Sequence, residues 1–144
     1  MLSRTAAYAL KTVLYLAEHG QAGPVRAGIM ARALDVPQNY LSKTCHVLAG
    51  AGVLVSVRGP AGGFRLARDP RRMSLLSVVR HFDPVGGTRR CLFGQPTCSD
   101  RAACAVHQYW KRAADEVAHF FRTTTVADIV APRDTATLSI RRRA

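Results

Sequence analysis

Gln38–Leu66, QNYLSKTCHVLAGAGVLVSVRGPAGGFRL, decides the fold. Its first part places Leu41, Cys45 and Leu48 at the three- and four-residue spacing of one helical face, about Gln38 to Ala49. Gly50 and Gly52 then stop the helix. Val53–Val57 reads as a strand and Phe64-Arg65-Leu66 as its partner. Between them, Arg58-Gly59-Pro60-Ala61-Gly62-Gly63 carries the turn residues that reverse a chain into a β-hairpin. A helix running directly into a glycine-rich hairpin predicts a recognition helix followed by a wing.

Working outward, Ala6, Leu10, Val13, Leu14 and Ala17 share helical spacing, with Gly20 as a stop. Pro24 opens a second helix, roughly Val25 to Leu34, with Ile29, Met30 and Ala33 on one face. Asp35-Val36-Pro37 makes the short turn before the third helix. Two helices across a tight turn form a helix-turn-helix. A short helix from Met73 to Phe82 packs Leu75, Leu76, Val78 and Val79, and Asp83-Pro84-Val85-Gly86-Gly87 breaks it. Gly86 to Ser99 has no useful periodicity. From Asp100 to Arg122, Val106, Trp110, Ala113, Val117 and Phe120 form a heptad-like stripe, suited to pairing with a second copy or to packing on the first helix. Thr123 to Val130 suggests a short last helix, and a flexible basic tail follows, ending Arg141-Arg142-Arg143. The fold class is mainly α with a small β-hairpin wing: a winged helix-turn-helix plus a long C-terminal dimerisation helix. The expected organisation is 1–82 for the winged domain, 83–104 for a cysteine-rich loop, 100–130 for the dimerisation and terminal helices, and 131–144 for the tail.

A chain of 144 residues with 48% apolar content is long and apolar enough for one packed domain rather than a disordered segment. Lys and Arg outnumber Asp and Glu 21 to 9, a net charge of +12 that draws the chain to phosphate-rich partners. An anionic membrane would attract it too, but no apolar run nears the roughly 18 residues of a spanning helix, and the N-terminal stretch is periodic rather than signal-like. The implied partner is double-stranded DNA. Gln38, Asn39, Tyr40, Ser42, Lys43 and His46 on the third helix are the expected base and phosphate contacts. Arg58, Gly59, Gly62, Gly63 and Arg65 of the wing are expected to reach phosphate or the minor groove, and Ser3 and Arg4 to touch phosphate. The plain alternative is a hairpin with solvated arginines. No Ser/His/Asp grouping, P-loop or nucleotide fingerprint is present, so an enzyme is not expected. A small electron carrier would explain the cysteines but neither the wing nor the charge.

Cys91, Cys98, Cys104 and His107 follow the wing with the spacing C-x6-C-x5-C-x2-H. Thiolate and imidazole are ligands for iron–sulfur clusters and for zinc. Clustered cysteines also point to a reducing, cytoplasmic setting and to a metal or redox site rather than a disulfide framework. Zinc sites commonly use C-x2-C pairs, absent here. A thiol switch is the third reading, since Arg89 and Arg90 flank Cys91. His107, three residues beyond Cys104, is expected on the same helical face. Cys45 reads as a core residue, and His19, His81 and His119 show no ligand partner.

Ala6-Ala7-Tyr8-Ala9-Leu10, Tyr40-Leu41, Leu48–Leu54 and Ser56–Phe64 resemble the Rrf-type family of winged-helix iron–sulfur transcription regulators, over residues 1 to about 130. The resemblance implies a homodimeric, cluster-controlled regulator, most simply a repressor, that binds palindromic promoter DNA and senses redox state, nitric oxide or iron–sulfur status. It assigns Cys91, Cys98 and Cys104 as cluster cysteines and His107 as the ligand of IscR-like members. NsrR-like members take a carboxylate from the partner's first helix, where this chain has Ala7. The implied cofactor is therefore a 2Fe–2S cluster, with 4Fe–4S as the other form. There are two departures: the first cysteine spacer is one residue longer than in IscR-like members, and Ser42 stands where they carry a glutamate tied to DNA-site choice.

Overall fold

The computed structural model describes residues 2–85, 91–96 and 98–131. Arg89, Arg90, Gly86, Gly87 and the tail beyond Ala131 lie outside them. The architecture is a mostly helical winged-helix fold with a two-stranded antiparallel hairpin.

Helix α1 (Arg4–His19) starts where the Ser3 hydroxyl accepts the Ala6 N–H at 3.1 Å, a side-chain N-cap. It lies at the centre of the molecule, against α3 (Gln38–Gly50), α4 (Leu75–Val79) and α6 (Val126–Val130). Ala6, Ala9, Val13 and Leu16 are its buried apolar residues. Leu10, Leu14 and Ala17, expected inward, are half-buried, because this helix is apolar most of the way round and periodicity alone centres its stripe poorly. Thr12 is buried as well; its hydroxyl donates to the Tyr8 carbonyl at 2.8 Å, which satisfies it within the helix.

Helix α2 (Ala27–Leu34) begins two residues later than its proline suggests. Val25 instead bridges the wing: its N–H donates to the Phe64 carbonyl at 2.9 Å, and the Phe64 N–H returns to Val25 at 2.8 Å. A β-branched residue with both backbone groups paired to a strand gains nothing by joining the helix. Met30 and Ala31 face inward, whereas Ile29 and Ala33, assigned to the core face from sequence, are exposed. Asp35 at φ 52° caps the helix in the left-handed region, which an Asp tolerates.

Helix α3 buries Leu41, Thr44, Cys45 and Leu48 as one face. The Cys45 side chain is a core group, and burial pushes its thiol up to about 12. Strands β1 (Leu54–Val57) and β2 (Gly63–Leu66) pair Leu54 with Leu66 and Ser56 with Phe64. The turn is built by glycine. A Cβ at Gly62 would lie 2.3 Å from the Val57 oxygen, and one at Gly63, whose φ is 150°, 2.5 Å from the Val25 carbonyl group.

Helix α4 is shorter than its apolar run, because the Phe82 and Asp83 N–H groups both turn back onto the Val79 carbonyl. The Asp83 carboxylate accepts the Ser3 N–H at 2.6 Å and ties this turn to the start of α1. Helix α5 (His107–Thr123) also begins late. Asp100–Ala102 is a separate 3-10 turn, and Ala103 is extended. The break follows from the Asp100 carboxylate, which folds back onto His107 and Lys111 of α5 rather than lying in a first helical turn. Cys104 therefore does not share a helical face with His107; its carbonyl accepts the His107 N–H at 2.9 Å.

Helix α6 carries a capping box of Thr125 and Asp128 and returns the chain to the core. The Leu75 N–H meets the Thr124 carbonyl and the Val126 N–H meets the Met73 carbonyl, at 2.9 and 2.8 Å. Between these anchors α5 packs on α4 and buries only His107 and Phe121. Tyr109 and Phe120 stay exposed, at 75% and 48%, and Ala113 is exposed too, whereas Val106, Trp110 and Val117 of the apolar stripe are half-buried and Val117 packs against the core. Among the described residues no helix is long and apolar enough to cross a membrane.

Candidate nucleic-acid interface and metal centre

The inward face of α3 is fixed by Leu41, Thr44, Cys45 and Leu48, which leaves Gln38, Asn39, Tyr40, Lys43 and His46 exposed along the opposite side and Ser42 half-buried. The Gln38 side chain lies over Gly28 of α2, within 3.5 Å of where a Cβ would stand there. The His46 ring meets Phe64 edge-on, with centroids 5.4 Å apart. His46 is thus both an exposed residue of α3 and a contact to strand β2 of the wing.

In the wing, Arg58, Gly59 and Arg65 are exposed. Among the described residues neither arginine has a carboxylate partner, so both charges are available to an external anion. Gly62 is buried and Gly63 half-buried, and their need for glycine comes from protein backbone, the wing's own for Gly62 and that of Val25 for Gly63. Ser3 uses its hydroxyl as the α1 cap while Arg4 is exposed beside it. Sequence reasoning missed Arg26, which precedes α2. Its guanidinium donates to the Pro60 carbonyl at the wing tip. Together with the Val25–Phe64 bridge, this contact pins the wing to the start of α2; the only local signal was a basic residue after Pro24.

Of the four proposed ligands the structure brings two together. The Cys98 Sγ lies 3.4 Å from the His107 Nδ1, and the His107 Nε2 lies 2.8 Å from the Asp100 Oδ1. The imidazole is buried. Lys111, one helical turn along α5, donates to both Asp100 oxygens at 3.0 and 2.9 Å. The hydrogen bond from His107, reinforced by Lys111, holds the Asp100 carboxyl down at about 2. Cys91 and Cys104 are half-buried free thiols. Among the described residues no three His, Cys, Asp or Glu side chains converge on a single ion position.

The donors nevertheless fit a borderline metal. Two ligands on one tetrahedral centre, at bond lengths of about 2.3 Å to sulfur and about 2.0 Å to nitrogen, stand about 3.5 Å apart. The observed 3.4 Å is close to that edge. A carboxylate on the far ring nitrogen is the usual support of a ligating histidine. Asp100 and Lys111 were not singled out from the sequence, since only the 3-10 turn brings Asp100 back to α5.

The profile of the Rrf2 family, described as an iron-dependent transcriptional regulator, matches residues 2–132. An HTH-type transcriptional regulator of Aquifex aeolicus (strain VF5) is 32% identical over 132 residues, spanning 90% of this chain and 91% of that protein. The HTH-type transcriptional regulator IscR of Serratia proteamaculans (strain 568) is 28% identical over 127 residues, 88% and 77% of the two chains. CymR, the global cysteine regulator of B. subtilis, has the same fold, with a TM-score of 0.76 at 24% identity over 93% of this chain and 98% of that one. T. potens IscR superposes with a TM-score of 0.75 at 23% identity, over 96% and 93%. These relatives are regulators of transcription rather than enzymes, and this chain belongs to the Rrf2 family of winged-helix transcriptional regulators.

Proposed function

We propose that the chain is a homodimeric promoter-binding repressor whose affinity for DNA is set by an iron–sulfur cluster held by Cys91, Cys98, Cys104 and His107. The observation that carries this reading is the Cys98–His107 pair, metal-like in spacing, buried at its imidazole and backed by a carboxylate. When bound, the group supplies a centre altered by oxidant, nitric oxide or iron shortage. A 2Fe–2S cluster with one histidine ligand suits such a role, because replacing thiolate by imidazole removes negative charge and raises the reduction potential.

The chain's own residues supply the rest. Gln38, Asn39, Tyr40, Ser42, Lys43 and His46 face the major groove, while Arg58 and Arg65 with Gly59 reach the backbone or minor groove. Arg4 adds a phosphate contact beside the Ser3 cap. The exposed residues of α5, Tyr109, Ala113 and Phe120, pair with the same helix of a second copy and place two recognition helices on a palindrome. His107 is the first residue of α5. A grip on its ring is therefore a grip on the dimer helix, which links the cysteine loop to the separation of the two DNA-reading heads.

Anaerobic purification tests the reading. Visible charge-transfer absorption, with iron and sulfide in equal amounts, is expected for the native chain and is expected to be lost in Cys98→Ala and His107→Ala. Promoter affinity should differ between cluster-loaded and cluster-free protein in a gel-shift titration. A colourless protein carrying zinc, or equal affinity in both forms, would sink the sensing mechanism. The same Cys98–His107 pair also favours a second reading, a structural zinc or thiol-switch site. The CymR neighbour, a cysteine regulator, keeps that reading in view.

A further inference from the structure

The arrangement around His107 selects one of its two nitrogens before any metal arrives. Free imidazole carries its proton on either nitrogen, and which one is left to ligate depends on the hydrogen bond made by the other. Here the Nε2 faces the Asp100 Oδ1 at 2.8 Å. An ionised carboxylate only accepts, so the Nε2 must bear hydrogen and the lone pair falls to Nδ1. That atom faces the Cys98 Sγ at 3.4 Å.

The clamp is itself held. Lys111 donates to both oxygens of Asp100 and stands on α5 one turn from His107. The lysine and the histidine thus grip one carboxylate from a single helical face, and the carboxylate cannot swing away without giving up its hydrogen bonds to both. The lysine charge also offsets the repulsion between Asp100 and a group held by thiolates.

We infer that His107 ligates through Nδ1 and that Asp100, braced by Lys111, is the positioning residue that enforces this choice and strengthens the ligand. The inference rests on the proposed cluster site. A carboxylate on the distal N–H raises ligand basicity. Its removal should therefore loosen the metal and raise the cluster's reduction potential.

The test uses the cluster-loaded, full-length protein purified anaerobically with histidine labelled by 15N at Nδ1 alone. Pulsed EPR of the reduced cluster should show strong coupling to the labelled atom. Iron release to an excess chelator should be about 10- to 100-fold faster in Asp100→Ala. Asp100→Asn, which keeps an uncharged acceptor, should fall between Ala and the native residue. Lys111→Met should show a smaller acceleration. The Asp100 side chain is 70% exposed, so these variants are expected to fold, as a far-UV spectrum would verify. A cluster coupled to histidine through the unlabelled Nε2, or one whose iron release ignores all three substitutions, overturns this inference alone. A native protein with no cluster, or with no histidine coupling, overturns the proposed ligand set and this inference with it.

Discussion

Replacing Gly63 by alanine sets a methyl carbon 2.5 Å from the Val25 carbonyl group, far inside van der Waals contact, on a backbone at φ 150°. The obstacle is main chain, so no side-chain rotation relieves it. Strand β2 must move off Val25, and the two backbone hydrogen bonds of the Val25–Phe64 bridge go with it. Each is worth about 0.5–1.5 kcal/mol net. The disfavoured φ adds about 1–2 kcal/mol for an L-residue. The wing's attachment should therefore weaken by about 2–5 kcal/mol. Native-state hydrogen exchange reads this directly: the Val25 and Phe64 amides should lose most of their protection while Leu48 and Val13 keep theirs. Specific DNA affinity should drop in parallel. Gly50→Ala is the matching control, since a Cβ there meets nothing within 4 Å and alanine is the better helix former. If Gly63→Ala kept native exchange at both bridge amides, the account of the wing's attachment would be wrong.

Removing Arg58 or Arg65 should lower the slope of log affinity against log salt by about 0.9 for each phosphate that is no longer neutralised, measured by fluorescence anisotropy on a promoter duplex; an unchanged slope removes that residue from the interface. Because burial pushes the Cys45 thiol up to about 12, iodoacetamide at pH 8 should modify Cys91, Cys98 and Cys104 of the cluster-free protein and leave Cys45 untouched until denaturant is added. The sign is that of a raised pKa: the neutral thiol is favoured in the fold, and that preference disappears only as pH climbs toward 12. A combined Ala113→Glu, Phe120→Glu variant should sediment as a monomer and lose cooperative binding to a palindrome. Its melting temperature should change little by comparison, since neither side chain is in the core.

What the sequence made legible follows the range of each interaction. Helix α3 and the hairpin were readable because their signals, apolar spacing and a glycine-rich turn, are local. Their bounds fall within a residue of expectation. The Val25 bridge was not readable: it joins backbone groups 39 positions apart and leaves no mark on either side chain. The start of α5 was misplaced for a related reason. Asp100 to Val106 has helix-compatible residues, and only the return of the Asp100 carboxylate to His107 and Lys111 breaks the run. The cysteine–histidine set was proposed from its spacing, which carried nothing of the geometry around His107. Which nitrogen faces which sulfur depends on a turn whose existence the spacing does not encode.

Phe64 touches α3, the proposed recognition helix, through His46 and the start of α2 through Val25 at the same time. Probe helix and wing therefore behave like the two fixed jaws of one calliper, set at manufacture. In a paired assembly the width of each half-operator is then a constant of the subunit, and only the gap between halves is adjustable. Mutations that retune promoter choice without touching a base-reading side chain should accordingly collect along α5 and its flanking loop.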